Sequence, residues 1–97
     1  MAGKKRGSFD KKGIEGLSKD KPAVYEIQDG KGKNLYTGSA KRGRVEDRLK
    51  EHLPGSKDPV RGGKKVVIQQ KSSIDEALKS EARIIKSQQP PQNKKSK

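Results

Sequence analysis

Five side chains in this sequence stand where chemistry could use them: Tyr25, Tyr36, Arg48, His52 and Glu81. At about 100° per residue, Glu81 shares one arc of a helix with Ile74, Leu78 and Ile85. That arc is the stripe expected to be buried. A buried carboxylate is costly unless it is ion-paired or binds a metal. In a chain with 25 Lys and Arg residues, periodicity alone favours the ion pair slightly. Arg48 and His52 are four residues apart, at the edge of a stripe formed by Val45, Leu49 and Leu53. His52 is the only histidine, and such a residue is ordinarily packed and tied to a backbone group. Arg48 could equally be a structural partner of Glu51 or Glu81. Tyr25 and Tyr36 are the only tyrosines. They flank one turn and could face each other across a hairpin as ordinary packing. The sequence has no phosphate-binding loop, dinucleotide fingerprint, HExxH or Ser-His-Asp pattern. It has no Cys, which excludes a disulfide framework, a Cys-based zinc site and a Cys nucleophile.

The elements that must carry these residues follow from patterning. Residues 23–28 (AVYEIQ) alternate with period two and read as a strand. Asp29-Gly30, with Gly32 two positions on, is a turn signal. Residues 35–38 (LYTG) make a second strand, paired with the first as an antiparallel hairpin. Residues 44–53 read as a helix that Pro54-Gly55 stops. Residues 54–64 form a loop with two Pro and three Gly. Residues 65–70 are a third strand, and its unbroken Val66-Val67-Ile68 centre suits burial on both faces. Ser73 with Glu76 three positions later is a capping box. It opens a helix that fades near Gln88, before Pro90-Pro91. The order is β-β-α-β-α, an α+β domain with a three-stranded antiparallel sheet flanked by helices.

Length and charge bound the rest. A chain of 97 residues supports one small domain. Seventeen Leu, Ile, Val and Phe residues at a net charge of +13 lie near the disordered boundary, but fourteen of the seventeen fall within 23–85. A folded domain over 22–93 is expected, with a basic flexible arm over 1–21 and a basic tail over 94–97. Residues 23–86 carry fifteen positive and nine negative groups, so the ends alone do not explain the charge. Nucleic acid is the favoured partner, ahead of an anionic membrane surface. No apolar run is long enough for a membrane span, and the basic start lacks the apolar stretch of a secretory signal. A soluble, intracellular, cytoplasmic protein is expected. Three aromatic residues are too few for a base-stacking platform.

Taken together, Ala23-Val24-Tyr25, Tyr36-Thr37-Gly38, Arg48 with His52, Glu81 and then Asn93 resemble the GIY-YIG nuclease superfamily over residues 22–93. Ala23 stands where the family has its first glycine, and Thr37 where it has an isoleucine. Nothing here supplies the second histidine that some members carry. The resemblance implies hydrolysis of a phosphodiester bond, with DNA the expected substrate, and it moves Glu81 from an ion pair to a metal ligand. It implies that Glu81 holds one Mg²⁺ or Mn²⁺, and that Arg48 stabilises charge on the phosphate. Tyr25 would activate the attacking water, Tyr36 would contact the phosphate or its water, and His52 would assist Tyr25 or the leaving phosphate. Gly38 would let the backbone turn closely past the site, and Asn93 would pin the end of the domain near it. Lys41, Arg42 and Arg44, with Arg61, Lys64 and Lys65, are the candidate nucleic-acid contacts. Substrate choice would come from the 54–64 loop, the basic arms or a partner protein. A non-catalytic nucleic-acid-binding module with a vestigial site is the second reading, and a basic interaction protein the third.

Overall fold

The computed structural model describes residues 4–17 and 21–96. The elements in order are β1 (Lys4–Ser8), α1 (Lys11–Glu15), β2 (Ala23–Gln28), β3 (Asn34–Ala40), α2 (Val45–Lys50), β4 (Lys65–Gln70) and α3 (Ile74–Gln88), then a 3-10 helix (Pro91–Ser96). The architecture is α+β, with an antiparallel sheet between helices. The sheet has four strands, in the order β1-β4-β2-β3, and not the expected three.

The β2–β3 hairpin forms because Asp29 builds its turn. The Asp29 carboxylate accepts from the backbone N–H groups of Lys31 and Lys33 at 2.8 and 2.9 Å. The Lys33 N–H is the largest cause holding its pKa below the ordinary value. Gly32 completes the turn at φ +91°, where a Cβ would be strained.

The additional strand, β1, lies in the span expected to be a solvated arm. Lys4–Ser8 pairs antiparallel with β4, Lys4 opposite Gln69 and Ser8 opposite Lys65. Asp10 then caps α1, accepting from the Gly13 N–H at 2.7 Å. Phe9, Ile14 and Leu17 are buried, so this segment docks through its three large apolar groups. Lys50 bridges α1 and α2, reaching Glu15 at 3.1 Å and Glu46 at 2.7 Å. The rest of the expected arm, residues 1–3 and 18–20, lies outside the described residues, as does Lys97.

The sheet buries both faces. On one, Tyr25, Ile27, Val66 and Ile68 pack with Ile14, Val45 and Leu49 in a single core. On the other, Val24 and Val67 lie under Ile84 of α3. Residues of β4 are therefore covered on both sides, as its apolar centre suggests. Ser73 caps α3 by accepting from the Glu76 N–H at 3.2 Å. The Glu76 carboxylate turns instead to the Ser72 hydroxyl, at 2.6 Å.

The phase of α3 differs from expectation. Its buried positions are Ala77 and Ser80, about a quarter turn from the arc of Ile74, Leu78, Glu81 and Ile85. Small residues face the sheet because helix and strands approach closely there. The larger arc is left at the side of the helix, and Leu78 is 48% exposed. No described helix is long and apolar enough to cross a membrane.

Candidate active site

The two tyrosines are diagonal neighbours, not directly opposite. Tyr25 pairs with Gly38 and Tyr36 with Ile27, and the rings stack at 26° with centroids 6.4 Å apart. The Tyr25 ring folds over its cross-strand partner. A Cβ on Gly38 would lie 2.5 Å from Tyr25 Oη and 2.6 Å from Cζ. Glycine is required here for room beneath the ring and not for a tight turn, and Gly38 is not among the positive-φ glycines.

α2 brings Arg48 and His52 to the same place. The helix is shorter than expected, and its end tightens: His52 N–H bonds the Leu49 carbonyl and Leu53 N–H the Lys50 carbonyl. This tighter turn carries His52 into the core, where its side chain is fully buried. Its Nδ1 lies 2.9 Å from the carbonyl of Asp58. A carbonyl only accepts, so Nδ1 holds the proton and Nε2 is bare. Nε2 lies 2.9 Å from Tyr25 Oη and accepts its O–H. Burial pushes the His52 pKa below its ordinary value, which keeps the ring neutral. The Tyr36 ring packs against it, with centroids 4.6 Å apart.

Asp58 comes from the 54–64 loop, which is pinned. Asp58 N–H bonds the Glu51 carbonyl at 2.8 Å and Val60 N–H the His52 carbonyl at 2.9 Å. Val60 is buried. Sequence reasoning missed Asp58 because its backbone carbonyl, not its side chain, orients His52. The buried Val60 in an otherwise polar loop was the available signal.

Burial, then the neighbouring Tyr36, pushes the Tyr25 hydroxyl pKa well above the usual range, and the Arg48 guanidinium opposes that shift. Tyr36 is raised mainly by burial, with Asp58 adding to it. Arg48 is held by Glu51 at 2.9 Å and is not paired with Glu81. The nearby Tyr25 oxygen is the largest cause keeping its charge in place.

Glu81 enters from α3, on the other side of β3. Its Oε1 accepts from the Ser39 hydroxyl at 2.7 Å. Its charge is near enough to raise both tyrosine pKa values. Because Glu81 sits at the side of α3 and is half-buried, it meets solvent as well as the site. Among the described residues, no group of three or more His, Cys, Asp or Glu side chains is gathered as a metal cage. A single carboxylate with free lone pairs suits a hard divalent cation that keeps several waters. Ser39 is a second residue missed from the sequence, and its place two positions before the basic run was the only hint.

Asn93 clips the edge of the sheet. Its side-chain oxygen accepts from the Thr37 N–H and its amide donates to the Thr37 carbonyl, both at 2.9 Å. It thus acts as a short strand partner for β3 next to Gly38. Gln92 does the same for the loop, bonding the Arg61 N–H at 2.8 Å and its carbonyl at 2.7 Å. The side chains of residues 94–97, the expected basic tail, lie outside the described residues.

The six candidate nucleic-acid contacts are exposed and divide into two groups. Lys41, Arg42 and Arg44 follow Ala40, which pairs with Ala23 at the start of β2. Arg61, Lys64 and Lys65 lie toward the other end, where Lys65 pairs with Gln28. Tyr25, Gly38, Arg48 and Glu81 gather nearer the first group.

Comparison with known proteins agrees with this fold. The GIY-YIG catalytic domain model matches residues 21–96. No curated protein matches the chain. Among solved structures, the chain is similar to the GIY-YIG N-terminal endonuclease domain of UvrC from Thermotoga maritima, bound to its catalytic divalent cation, magnesium. Identity is 25% over 78% of this chain and 86% of that one, with a TM-score of 0.59. Two point mutants of that domain, each bound to its catalytic divalent cation, match over the same shares of both chains. They do so at 25% and 24% identity, with TM-scores of 0.59 and 0.60.

Proposed function

From the premise that this chain belongs to the GIY-YIG nuclease family, we propose that it is a metal-dependent endonuclease hydrolysing phosphodiester bonds in DNA. The observation that carries this reading is the gathering of Tyr25, Tyr36, Arg48, His52 and Glu81 from four separate elements around Gly38.

Glu81 would hold the divalent cation, Mg²⁺ or Mn²⁺, with Ser39 fixing one carboxylate oxygen. When bound, the cation supplies charge stabilisation at the phosphate. Tyr25 is the relay for the water proton. Its raised pKa means that it stays protonated until the reaction, so it cannot act as a resident tyrosinate. As the water attacks, Tyr25 Oη takes the water proton and passes its own to His52 Nε2. The Asp58 carbonyl holds His52 in the tautomer that can accept it. Arg48 faces the charge that develops on the phosphate oxygens. Tyr36 donates to the phosphate or its water from the half-exposed side. Lys41 and Arg44 anchor the backbone without reading sequence.

The test is nicking of supercoiled plasmid at low salt with Mg²⁺, Mn²⁺ or EDTA. Glu81→Ala and Arg48→Ala run in parallel. Nicking that needs metal and disappears in both variants supports the reading. Plasmid binding without nicking, on branched DNA as well, replaces it with a non-catalytic nucleic-acid-binding module.

A further inference from the structure

The sheet has two edges, and the fold treats them differently. On β3 the side chain of Asn93 pairs with the main chain of Thr37. β1 is the other edge, and its ladder with β4 fixes which main-chain groups are used. Lys71 N–H bonds the Pro22 carbonyl, and Phe9 N–H bonds the Lys64 carbonyl. Bonded and unbonded pairs alternate along an antiparallel ladder. So Val67 and Gln69 turn their main-chain groups to β2, and Val66 and Ile68 turn theirs to β1. Gly7 and Lys5, opposite Val66 and Ile68, complete those bonds. The N–H and carbonyl groups of Lys4, Arg6 and Ser8 are left pointing away from the sheet. α1 covers the Ser8 end, where a Cβ on Gly13 would meet the Ser8 N–H and carbonyl. Lys4 and Arg6 offer two donors and two acceptors with no partner among the described residues.

Charge says what fits this edge. Lys5 and Arg6 are exposed on opposite faces of β1, and neither has a carboxylate partner among the described residues. Lys65, also exposed, lies on the Arg6 face, opposite Ser8. Cations on an edge strand repel a second copy of the same edge, here in a chain of net charge +13. They attract an acidic strand, because opposite charges on neighbouring strands stabilise the pair. We propose that β1 is a docking edge for a partner protein, which adds an extended acidic segment to the sheet as a fifth strand. β1 precedes the span of 21–96 matched to the family, so the edge lies outside the matched domain. β4 and β2 separate it from β3 and Gly38 by about 14 Å of sheet. A docked segment therefore leaves the candidate site open, and the inference does not rest on the nuclease reading.

The probe is a fluorescent peptide of about eight residues, an ordinary strand length, that alternates Glu and Val. A second peptide of the same charge has Pro in place of one central Val, which removes a donor and interrupts the ladder. Anisotropy at low salt compares wild type, Arg6→Gln and Arg6→Pro. The Arg6 N–H does not bond β4, so proline is tolerated at this edge position, and circular dichroism checks the fold. Wild type is expected to bind the alternating peptide roughly tenfold more tightly than its proline counterpart. Arg6→Gln weakens the alternating peptide about two- to fivefold, and Arg6→Pro about fivefold more. Equal affinity for the two peptides means charge attraction without strand addition and overturns the proposal. So does undiminished binding by a folded Arg6→Pro. Should Arg6→Pro fail to fold, the pair of peptides decides alone. An oligothymidine whose binding falls in Arg6→Pro as the peptide's does gives the edge to nucleic acid. A dimer in sedimentation that Arg6→Pro dissolves gives it to a second copy. Either result overturns the proposal.

Discussion

The hydroxyl of Tyr25 and Nε2 of His52 meet at 2.9 Å across the core, although 27 residues separate them. The direction of that hydrogen bond is set from behind, by the Asp58 carbonyl on Nδ1. Tyr25→Phe keeps the ring and removes the proposed relay. Nicking should fall about 10²- to 10⁴-fold. Stability should fall by about 1–3 kcal/mol, because Nε2 is left buried without a donor. Single-turnover nicking and urea unfolding measure the two effects separately.

His52 makes both activity and stability sensitive to acid. Its folded pKa lies below the ordinary 6.5, chiefly through burial. Above 6.5 neither state is protonated and the stabilisation is complete. As pH falls below 6.5 the unfolded chain takes the proton first, so stability is lost down through the folded pKa. A protonated His52 also cannot accept from Tyr25, so nicking declines on the same limb. Urea midpoints measured between pH 7.5 and 5 should slope in wild type and flatten in His52→Gln. An unchanged slope in the variant would place the titrating group elsewhere.

Gly38→Ala puts a methyl group 2.5 Å from Tyr25 Oη. The backbone of β3 tolerates alanine, so the ring must move. Overpacking of this kind costs about 1–3 kcal/mol, and moving the hydroxyl by an ångström costs about 10²-fold in rate. The two losses should appear together. A stable variant with full activity would show that the ring can shift without consequence.

Asn93→Ala removes both hydrogen bonds to Thr37. The Thr37 N–H and carbonyl lose their partner on an edge strand otherwise covered on that side. The expected cost is about 1–2 kcal/mol, or a fall in Tm of about 4–8 °C per kcal/mol for a domain of this size. Asn93→Asp keeps the acceptor for the N–H and loses the donor, so it should fall between alanine and wild type in a thermal scan.

The core of the fold was legible because its signals are local. Alternation marks β2, Asp29-Gly30 marks the turn, and the capping serine marks the start of α3. The candidate site residues were legible only as a set, since Tyr25, Arg48 and Glu81 each admit an ordinary packing or ion-pair reading and only their combination resembles the family. What escaped depends on distant partners. Lys4–Ser8 has no apolar alternation, and β4 makes it a strand. The phase of α3 follows Ala77 and Ser80 because small residues admit the sheet, whereas hydrophobicity alone selects Ile74 and Leu78. The reason for Gly38, the ring of Tyr25 above it, exists only once the strands are in register. Asp58 acts through a main-chain oxygen, which no side-chain pattern reports.

The pairing of β1 with β4 also sets an order of events. Lys4 is made well before its partner, Gln69. On a growing chain β1 must wait for β4 to emerge, after β2, β3 and α2, before it has anything to pair with. The hairpin of β2 and β3 can close earlier from neighbouring residues. Closing so long a loop is slow, so docking of the N-terminal segment belongs late in folding. Until then Ile14 and Leu17 have no core, and α2, which carries Arg48, lacks the brace from Glu15. A nascent chain would acquire its hairpin first and its buttressed α2 last.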